Sequence, residues 1–307
     1  MNIVVIGHGM VGHKFLEQLH ALGVADANVT VLCEEPRAAY DRVHLSEFFS
    51  GKSAEDLSLV APGFFEASGF TLRLAARAAA VERRERTVTT ADGEVIPYDR
   101  LVLATGSAPF VPPVPGRDRP HCFVYRTIED LEAMQASAAR SRTGVVVGGG
   151  LLGLECAKAL RDLGLETHVV EFAPRLMAVQ VDDGGGRVLR SKIEDLGVQV
   201  HTGRNTLEIT DGATARHRMV FADGTHLETD MIVFSAGIRP RDEIARQCAL
   251  AIGPRGGVAV DDHCRTSDRN VYAIGECASW REQTFGLVAP GYDLSLIHIS
   301  EPTRQAE

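Results

Sequence analysis

The sequence predicts an α/β chain built from two similar parallel-sheet units, because one pattern occurs in it twice. An apolar strand, a glycine-rich turn and an amphipathic helix begin near residue 2, and the same series begins again near residue 143. The chain has 307 residues, of which 45% are hydrophobic, so it can form two medium-sized domains with cores of their own. Alternating strands and helices are typical of parallel sheets covered by helices.

The composition argues against several classes of function. A net charge of −9 does not suit a nucleic-acid surface, and no apolar run is long enough to span a membrane. The apolar N-terminus lacks the basic region and cleavage site of a secretion signal, so we expect a cytoplasmic protein. The six cysteines form neither CxxC nor CxxxxC, and the histidines show no HExxH spacing, so we expect no metal site.

The first glycine turn has the spacing of a dinucleotide-binding motif. Gly7, Gly9 and Gly12 form GxGxxG between an apolar strand and an amphipathic helix. In this motif the first glycine permits a tight turn, the second lets the backbone approach a pyrophosphate, and the third lets the helix pack on the strand. An acid at the end of the next strand binds the adenosine ribose. Glu34 fits that position, and Glu35 is the competing candidate.

The second glycine turn repeats the motif. Gly148, Gly150 and Gly153 form GxGxxG, and Glu171 closes the strand that follows. An acid at this position favours the free 2′-hydroxyl of NADH and repels the 2′-phosphate of NADPH. Arg175 follows four residues later and could soften that preference. The pattern therefore predicts a nicotinamide dinucleotide site that prefers NADH.

Two further strands end in residues that can reach a cofactor. The strand LVLATG ends in Thr105 and Gly106, and a proline-rich segment follows that predicts a crossing between domains. The strand VYAIG ends at Gly275 and is followed by Glu276. Glu276 can meet a polyol chain, or it can be an ordinary acid at a helix N-terminus, and the spacing does not decide between the two.

The order of these motifs, GxGxxG, ATG, GxGxxG and then Gly-acid, resembles that of the glutathione-reductase superfamily of flavoproteins. The resemblance implies an α/β fold of two Rossmann-like, three-layer β/β/α nucleotide-binding domains, with the NAD domain inserted in the FAD domain. It implies an FAD-binding domain at residues 1–109 plus 241–293 and an NAD(P)H-binding domain at residues 110–240. The cofactors implied are therefore FAD and NAD(P)H.

A narrower resemblance rests on longer segments. CEEPRAAYDRVHLSEFFSG, GGGLLGLE, VVEFAPRLM, FSAGIRPRDE and YAIGECASW resemble the N-terminal part of the assimilatory nitrite reductase large subunit family. The resemblance implies an enzyme that passes hydride from NADH to FAD and electrons onward to iron–sulfur and siroheme centres, with nitrite as final substrate. Those centres would lie outside this chain, and the intact protein is expected to form a homodimer without nucleic-acid or membrane partners.

Two alternatives to this function stay open. One is a stand-alone reductase of the ferredoxin or rubredoxin type, whose acceptor is a separate protein. The other is a nucleotide-responsive flavoprotein without enzymatic activity.

The resemblance also implies roles for individual residues, although none of them is a catalytic acid, base or nucleophile. The implied FAD contacts, from the pyrophosphate and ribose to the flavin and ribityl chain, are Gly7, Gly9, Met10, Val11, Gly12, Glu34, Arg42, Ser46, Thr105, Gly106 and Glu276. The implied contacts of the nicotinamide nucleotide are Gly148, Gly150, Leu151, Leu152, Gly153, Glu155, Glu171 and Gly237.

Three departures from the family pattern lead to further expectations. Related ferredoxin reductases carry a lysine near the flavin where this chain has Glu47, which either faces the flavin or, as we favour, is a solvated helix residue. No second cysteine lies close to Cys33, so we expect no thiol–disulfide chemistry. Residues 294–307 look like a translated sequencing adapter, so we expect a non-native tail without function.

Overall fold

A computed structural model describes residues 1–23 and 27–286 of the chain. Two 3₁₀ helices, Leu45–Ser50 and Gly275–Cys277, accompany the regular elements of this part of the chain. In chain order those elements are β1 (Asn2–Ile6), α1 (Met10–Ala21), β2 (Asn28–Leu32), α2 (Phe64–Ser68), β3 (Thr71–Arg73), β4 (Ala78–Glu82), β5 (Thr87–Thr90), β6 (Val95–Pro97), β7 (Arg100–Leu103), β8 (Ser107–Pro109), β9 (Cys122–Val124), α3 (Ile128–Ala138), β10 (Thr143–Val147), α4 (Leu151–Asp162), β11 (Glu166–Glu171), α5 (Asp183–Asp195), β12 (Val198–Thr202), β13 (Thr206–Asp211), β14 (His217–Phe221), β15 (His226–Thr229), β16 (Met231–Phe234), β17 (Ile238–Pro240), α6 (Glu243–Gln247), β18 (Val258–Val260), β19 (Val271–Ala273), β20 (Ala278–Trp280) and β21 (Gln283–Thr284).

The described chain divides into two compact units. Among the described residues, the first unit comprises the ranges 1–41, 55–108 and 239–286, and the second comprises residues 42–54 and 109–238. The second unit is therefore inserted into the chain of the first, in the manner that the motif order predicts. Which nucleotide each unit binds stays a prediction.

In the first unit, β1 shows why an apolar run becomes a central strand. Val4 and Ile6 belong to an apolar cluster that includes Val88 of β5, whereas Ile3 and Val5 belong to a second cluster with the buried face of α1. Successive side chains of a strand point to opposite faces, so an unbroken apolar run suits a strand buried on both sides. The sheet therefore lies between a helical layer and a second sheet.

The first unit's parallel sheet has the strand order β19-β7-β1-β2-β3. The antiparallel sheet β4-β5-β6 covers one face of it, and α1 covers the other. The carboxyl ends of β1, β7 and β19 lie side by side, because Ile6 pairs with Leu103 and Leu103 pairs with Ala273. Residues that follow these three strands therefore meet at one edge of the sheet.

The second unit repeats this architecture. Its parallel sheet has the order β12-β11-β10-β16-β9, and β13-β14-β15 form an antiparallel sheet. Val145 of β10 and Met219 of β14 share one apolar cluster, so the two sheets of this unit pack face to face. The prediction of an α/β fold with β/β/α layers is confirmed.

One segment lies where the sequence did not place it. Residues 42–54 were expected within the first domain, but they pack with the second unit. The reason is Leu45, which is buried where the 3₁₀ helix Leu45–Ser50 packs against α3 and α4. Burial of one leucine side chain contributes about 2 kcal/mol, which is enough to decide the packing of so short a segment.

The predicted non-native tail, residues 294–307, lies outside the described residues. Among the residues that the structure describes, no helix is both long and apolar enough to cross a membrane.

Candidate functional site

The first glycine turn has the shape that a phosphate cradle needs. Gly7 adopts a φ of +107°, and a Cβ atom there would lie 2.2 Å from the carbonyl oxygen of Ala104. A Cβ atom on Gly12 would lie 2.5 Å from the carbonyl oxygen of Gly7, so both positions exclude every side chain. Gly9 is different, since a Cβ atom there would meet nothing within 4 Å. The backbone at Gly9 is therefore open to a ligand at the N-terminus of α1, where free N–H groups suit a phosphate.

The other predicted residues of the first unit gather at the same edge. Gly275 has a φ of +75°, and a Cβ atom on it would lie 3.2 Å from the side chain of Val11 in the first turn of α1. The next residue, Glu276, accepts a hydrogen bond of 2.6 Å from the buried hydroxyl of Ser107. Thr105 follows Ala104 against the glycine turn and donates its hydroxyl to the carbonyl oxygen of Arg241.

Ser107 was missed by the sequence reasoning. It lies just beyond the ATG motif, and a small hydroxyl residue there carries no recognisable signal. The structure makes it the hydrogen-bonding partner that orients the Glu276 carboxylate. Glu276 is thus held by a side chain, which favours neither of the two sequence interpretations by itself.

Glu34 and Glu35 follow β2 and differ in their partners. The Glu34 carboxylate is 43% exposed and forms an ion pair of 2.5 Å with Arg241. Glu35 instead accepts a hydrogen bond of 2.8 Å from the hydroxyl of Tyr40. Glu34 is the more accessible of the two predicted ribose ligands, although a ribose would have to share it with the Arg241 guanidinium.

Arg42 and Ser46 lie in the second unit together with the 3₁₀ helix. Arg42 donates a hydrogen bond of 2.9 Å to the carbonyl oxygen of Arg126, and Ser46 lies beside Tyr125, whose pKa is raised by burial. Their predicted contact with the flavin and its pyrophosphate stays a prediction. Glu47 forms an ion pair with Lys52 of its own segment and is half-buried, so its place as a solvated helix residue stays a prediction.

The second glycine turn has the geometry of the first. Gly148 adopts a φ of +120°, with a virtual Cβ atom 2.2 Å from the carbonyl oxygen of Ser235. A Cβ atom on Gly153 would lie 2.0 Å from the carbonyl oxygen of Gly148. Gly150 corresponds to Gly9 of the first turn, because a Cβ atom there would again meet nothing within 4 Å. The open backbone at Gly150 fits an approaching phosphate group.

Glu171 is fixed beside this turn by two backbone donors. Its Oε2 accepts a hydrogen bond of 2.5 Å from the N–H of Gly149, and its Oε1 accepts one of 2.6 Å from the N–H of Ala173. The residue after Glu171, Phe172, leaves apolar surface exposed, because its side chain is 74% exposed. Gly149 was not singled out from the sequence, although its place as the middle glycine of GGG was a visible signal.

The remaining predicted nucleotide contacts lie around the second turn. Leu151 and Leu152 are partly exposed at the start of α4, and Glu155 follows on the same helix. Desolvation raises the pKa of the half-buried Glu155 carboxyl, and the nearby His44 opposes that shift. Gly237 adopts a φ of +106° and accepts a hydrogen bond from the N–H of Phe110.

The six cysteines are all free thiols, and four of them are buried. Burial raises the pKa of the Cys122 thiol to about 11 and that of Cys264 to about 12. Such thiols stay protonated and are poor nucleophiles near neutral pH. That the chain carries out no thiol–disulfide chemistry stays a prediction.

Comparison with known proteins agrees with this geometry. The family model described as pyridine nucleotide-disulphide oxidoreductase matches residues 1–293. The nitrite reductase (NADH) large subunit of Escherichia coli is 55% identical over 97% of this chain, and rubredoxin-NAD(+) reductase of Pseudomonas putida is 30% identical over 93% of it. The chain covers 36% of the former relative and 74% of the latter.

Solved structures show the same fold. A ferredoxin reductase from Rhodopseudomonas palustris superposes with a TM-score of 0.91 at 28% identity, covering 100% of this chain and 77% of that one. Putidaredoxin reductase, in its covalent complex with putidaredoxin, superposes with a TM-score of 0.88 at 25% identity, covering 97% of this chain and 74% of the other.

These findings confirm the resemblance to nitrite reductase large subunits, although the chain spans only about a third of their length. The matched model covers nearly all of the chain, and both glycine turns leave the backbone open at their second motif glycine. The chain therefore belongs to the pyridine nucleotide-disulphide oxidoreductase family, as an NAD(P)H oxidoreductase module.

Proposed function

We propose that this chain is the FAD-dependent, NADH-oxidising module of a nitrite reductase. The observation that carries the proposal is the duplicated turn, in which Gly9 and Gly150 each leave their backbone open while the flanking glycines exclude any side chain. A chain that binds one dinucleotide needs only one such turn. Two equivalent turns in one chain suit a donor dinucleotide and a flavin dinucleotide.

The first unit is proposed to hold FAD. The N–H groups at the start of α1, with Gly9 at its N-cap, would hold the pyrophosphate. Glu34 would accept the ribose hydroxyl protons, and Glu276, oriented by Ser107, would meet the ribityl chain. When bound, FAD would supply the redox chemistry, and we assign no side chain of this unit to that role.

The second unit is proposed to hold NADH. The start of α4 would hold the pyrophosphate next to Gly150, and Glu171 would accept the 2′-hydroxyl of the adenosine ribose. Because two backbone N–H groups hold the Glu171 carboxylate, it is preorganised for that hydroxyl and repels a 2′-phosphate. This supports NADH over NADPH.

The proposal is tested by loading the chain with FAD and adding NADH without oxygen. We expect the flavin absorbance at about 450 nm to bleach within seconds with NADH, and the bleaching to be slower with NADPH. FAD that binds but does not bleach would overturn the enzymatic function and favour a nucleotide-responsive flavoprotein instead. Failure to bind FAD at all would overturn the role assigned to the first turn.

The electron acceptor belongs to the same proposal. Relatives named nitrite reductase support iron–sulfur and siroheme centres in other parts of the intact protein, with nitrite as final acceptor. We expect the chain alone to reduce ferricyanide with NADH but not nitrite. We also propose that the intact protein is a homodimer, which light scattering of that protein tests.

A second candidate function is a stand-alone reductase for a small iron–sulfur protein. It is favoured by rubredoxin-NAD(+) reductase and rhodocoxin reductase, which are 30% and 32% identical to this chain. Rapid NADH-driven reduction of an added rubredoxin or ferredoxin would support it. A rate no faster than that of free FAD would argue against it.

A further inference from the structure

Arg175 lies where a phosphate-binding arginine is expected, but its guanidinium is already occupied. Its Nε donates to the carbonyl oxygen of Val181 at 3.0 Å, and its Nη2 donates to that of Ala178 at 3.1 Å. Its Nη1 donates to Oδ1 of Asp183 at 2.7 Å. Two of the three nitrogens therefore donate to carbonyl oxygens of the loop that follows, and the third donates to the first residue of α5. We call residues 176–182 the latch loop.

The stem of Arg175 is held as firmly as its head. A Cβ atom on Gly186, a buried residue in the first turns of α5, would lie 3.0 Å from Cδ and 3.1 Å from Cβ of Arg175. Glycine within a helix is unfavourable, so a glycine here needs a reason. The reason is that the arginine stem occupies the space which any side chain would need.

The latch loop connects Arg175 to the second glycine turn. Met177 in this loop adopts a φ of +46°, a strained conformation for a residue with a side chain. Its N–H donates a hydrogen bond of 2.9 Å to the carbonyl oxygen of Gly149. The N–H of the same Gly149 donates to Glu171. The latch loop and the acid therefore hold the same residue of the turn from opposite sides.

We propose that Arg175 is a positioning residue that locks the latch loop against the second glycine turn and thereby makes the site selective for NADH. Selectivity arises in two ways. The lock keeps Gly149 and Glu171 in place for the 2′-hydroxyl. Because its three nitrogens already donate to protein acceptors, the Arg175 guanidinium is also not available to bind a 2′-phosphate. Asp183 is 80% exposed, so its ion pair contributes little and the two carbonyl acceptors contribute most of the lock.

This inference rests on the proposed function in taking the second unit to bind NADH, and its first test is independent of that function. Hydrogen exchange of the latch loop is measured in the nucleotide-free chain. In Arg175→Lys a single ammonium nitrogen replaces the planar guanidinium, whose three nitrogens each reach a different acceptor, so we expect the amide of Met177 to exchange at least about tenfold faster than in the original chain. Unchanged exchange there would overturn the lock, whether or not any nucleotide binds.

The second test measures binding of 5′-AMP and 2′,5′-ADP, two fragments that differ only in the 2′-phosphate. If Arg175 positions the turn, Arg175→Met weakens AMP binding about five- to tenfold and lowers the preference for AMP over 2′,5′-ADP. If Arg175 instead binds a 2′-phosphate, the same variant weakens 2′,5′-ADP more than AMP, and the proposal is overturned. An original chain that binds neither fragment would contradict the proposed function and leave the exchange result to decide on the lock.

Two glycine variants in one helix turn supply a matched control. Gly186→Ala displaces the arginine stem, so we expect it to speed exchange of the latch loop and weaken AMP binding in the same direction as Arg175→Lys. Gly184→Ala adds the same methyl group at a distance of 3.4 Å or more from its neighbours, and it should change neither. Equal effects of the two variants would contradict the role of Gly186 in the lock. A melting curve for each variant shows that the chain still folds.

Discussion

The N–H of Gly149 donates a hydrogen bond of 2.5 Å to Oε2 of Glu171. The middle residue of the second turn therefore binds the carboxylate at the end of the next strand. The first turn is arranged differently. Its middle residue is His8, and the corresponding acid, Glu34, is paired with Arg241 instead. The two turns share a backbone but hold their acids by different means, which suits two different dinucleotides.

The Glu171 contact predicts the outcome of a charge-removing variant. In Glu171→Gln the carbonyl oxygen still accepts one backbone N–H, but the negative charge that repels a 2′-phosphate is lost. We expect the ratio of NADPH to NADH dissociation constants to fall about tenfold, as follows from removing one nearby charge. Fluorescence titration with both nucleotides measures this ratio.

The control for Glu171 is Glu208→Gln. Glu208 is an exposed acid on β13 of the same unit, so the variant removes the same charge at a position outside the turn. It should leave the ratio unchanged. A ratio that also stays unchanged in Glu171→Gln would remove Glu171 from the adenosine site.

Substitution of alanine for glycine should have very different effects on stability at Gly7 and at Gly9. Gly7→Ala places a methyl group 2.2 Å from the carbonyl oxygen of Ala104 in a backbone of positive φ, so it should destabilise the chain by about 2 kcal/mol or more. Gly9→Ala meets nothing within 4 Å and should change the free energy of unfolding by less than about 1 kcal/mol. Urea unfolding without FAD measures both.

Gly9→Ala should affect FAD binding more than it affects stability. The methyl group of Gly9→Ala occupies the open space at the start of α1, so it should weaken FAD binding although the fold is intact. Flavin fluorescence quenching measures the affinity. Unimpaired FAD binding in a stable Gly9→Ala chain would show that the pyrophosphate does not approach Gly9.

The sequence predicted the local motifs because each depends on residues close together in the chain. Both turns, their flanking strands and helices, the acid that follows β2 and the acid that ends β11 follow from spacing and apolar pattern alone. The pairing of Glu34 with Arg241 could not be predicted, because 207 positions separate the two residues and no local pattern links them. The packing of residues 42–54 with the second unit could not be predicted either, because it depends on the burial of Leu45 among residues distant in sequence.

Two glycines outside the spacing of the GxGxxG motifs have structural roles that the motifs do not predict. Gly149 and Gly186 lie in the runs GGG and DGGG, and neither of them occupies a glycine position of a GxGxxG motif. The structure gives each one a specific neighbour that a Cβ atom would displace, Leu176 for Gly149 and Arg175 for Gly186. Neither neighbour could be identified without the folded loop between β11 and α5.

The buried thiols predict that the chain lacks disulfide chemistry despite its family. Burial raises the pKa of Cys156 and Cys277 as well as those of Cys122 and Cys264. We therefore expect the native chain at pH 8 to react slowly with a chromogenic disulfide such as Ellman's reagent, and all six thiols to react after unfolding in urea. Two fast thiols in the native chain would contradict this and reopen thiol–disulfide exchange.

The first turn predicts a loss of stability in acid that is centred on His8. The Ala39 N–H donates to Nδ1 of His8, so the His8 proton lies on Nε2 and is donated to Nδ1 of His13 at 3.3 Å. Both rings are almost fully buried and need to be neutral to keep this chain of hydrogen bonds. Burial, assisted by His13, lowers the pKa of His8 from 6.5 to about 3, and burial also lowers that of His13.

The sign of the effect follows from where the unfolded chain takes up its proton. Unfolded His8 is protonated near pH 6.5 and folded His8 near pH 3, so stability is complete above pH 6.5 and falls as the pH drops towards 3. The slope from His8 alone is about 1.4 kcal/mol per pH unit. In His8→Asn, whose side-chain oxygen can still accept the Ala39 N–H, we expect the loss between pH 7.5 and 5.5 to shrink by about 1 kcal/mol, as measured by urea unfolding. His226→Gln removes an exposed histidine of β15 and should keep the original pH dependence. If His8→Asn also kept it, the acid sensitivity would have to come from groups other than the histidine pair beneath the first turn.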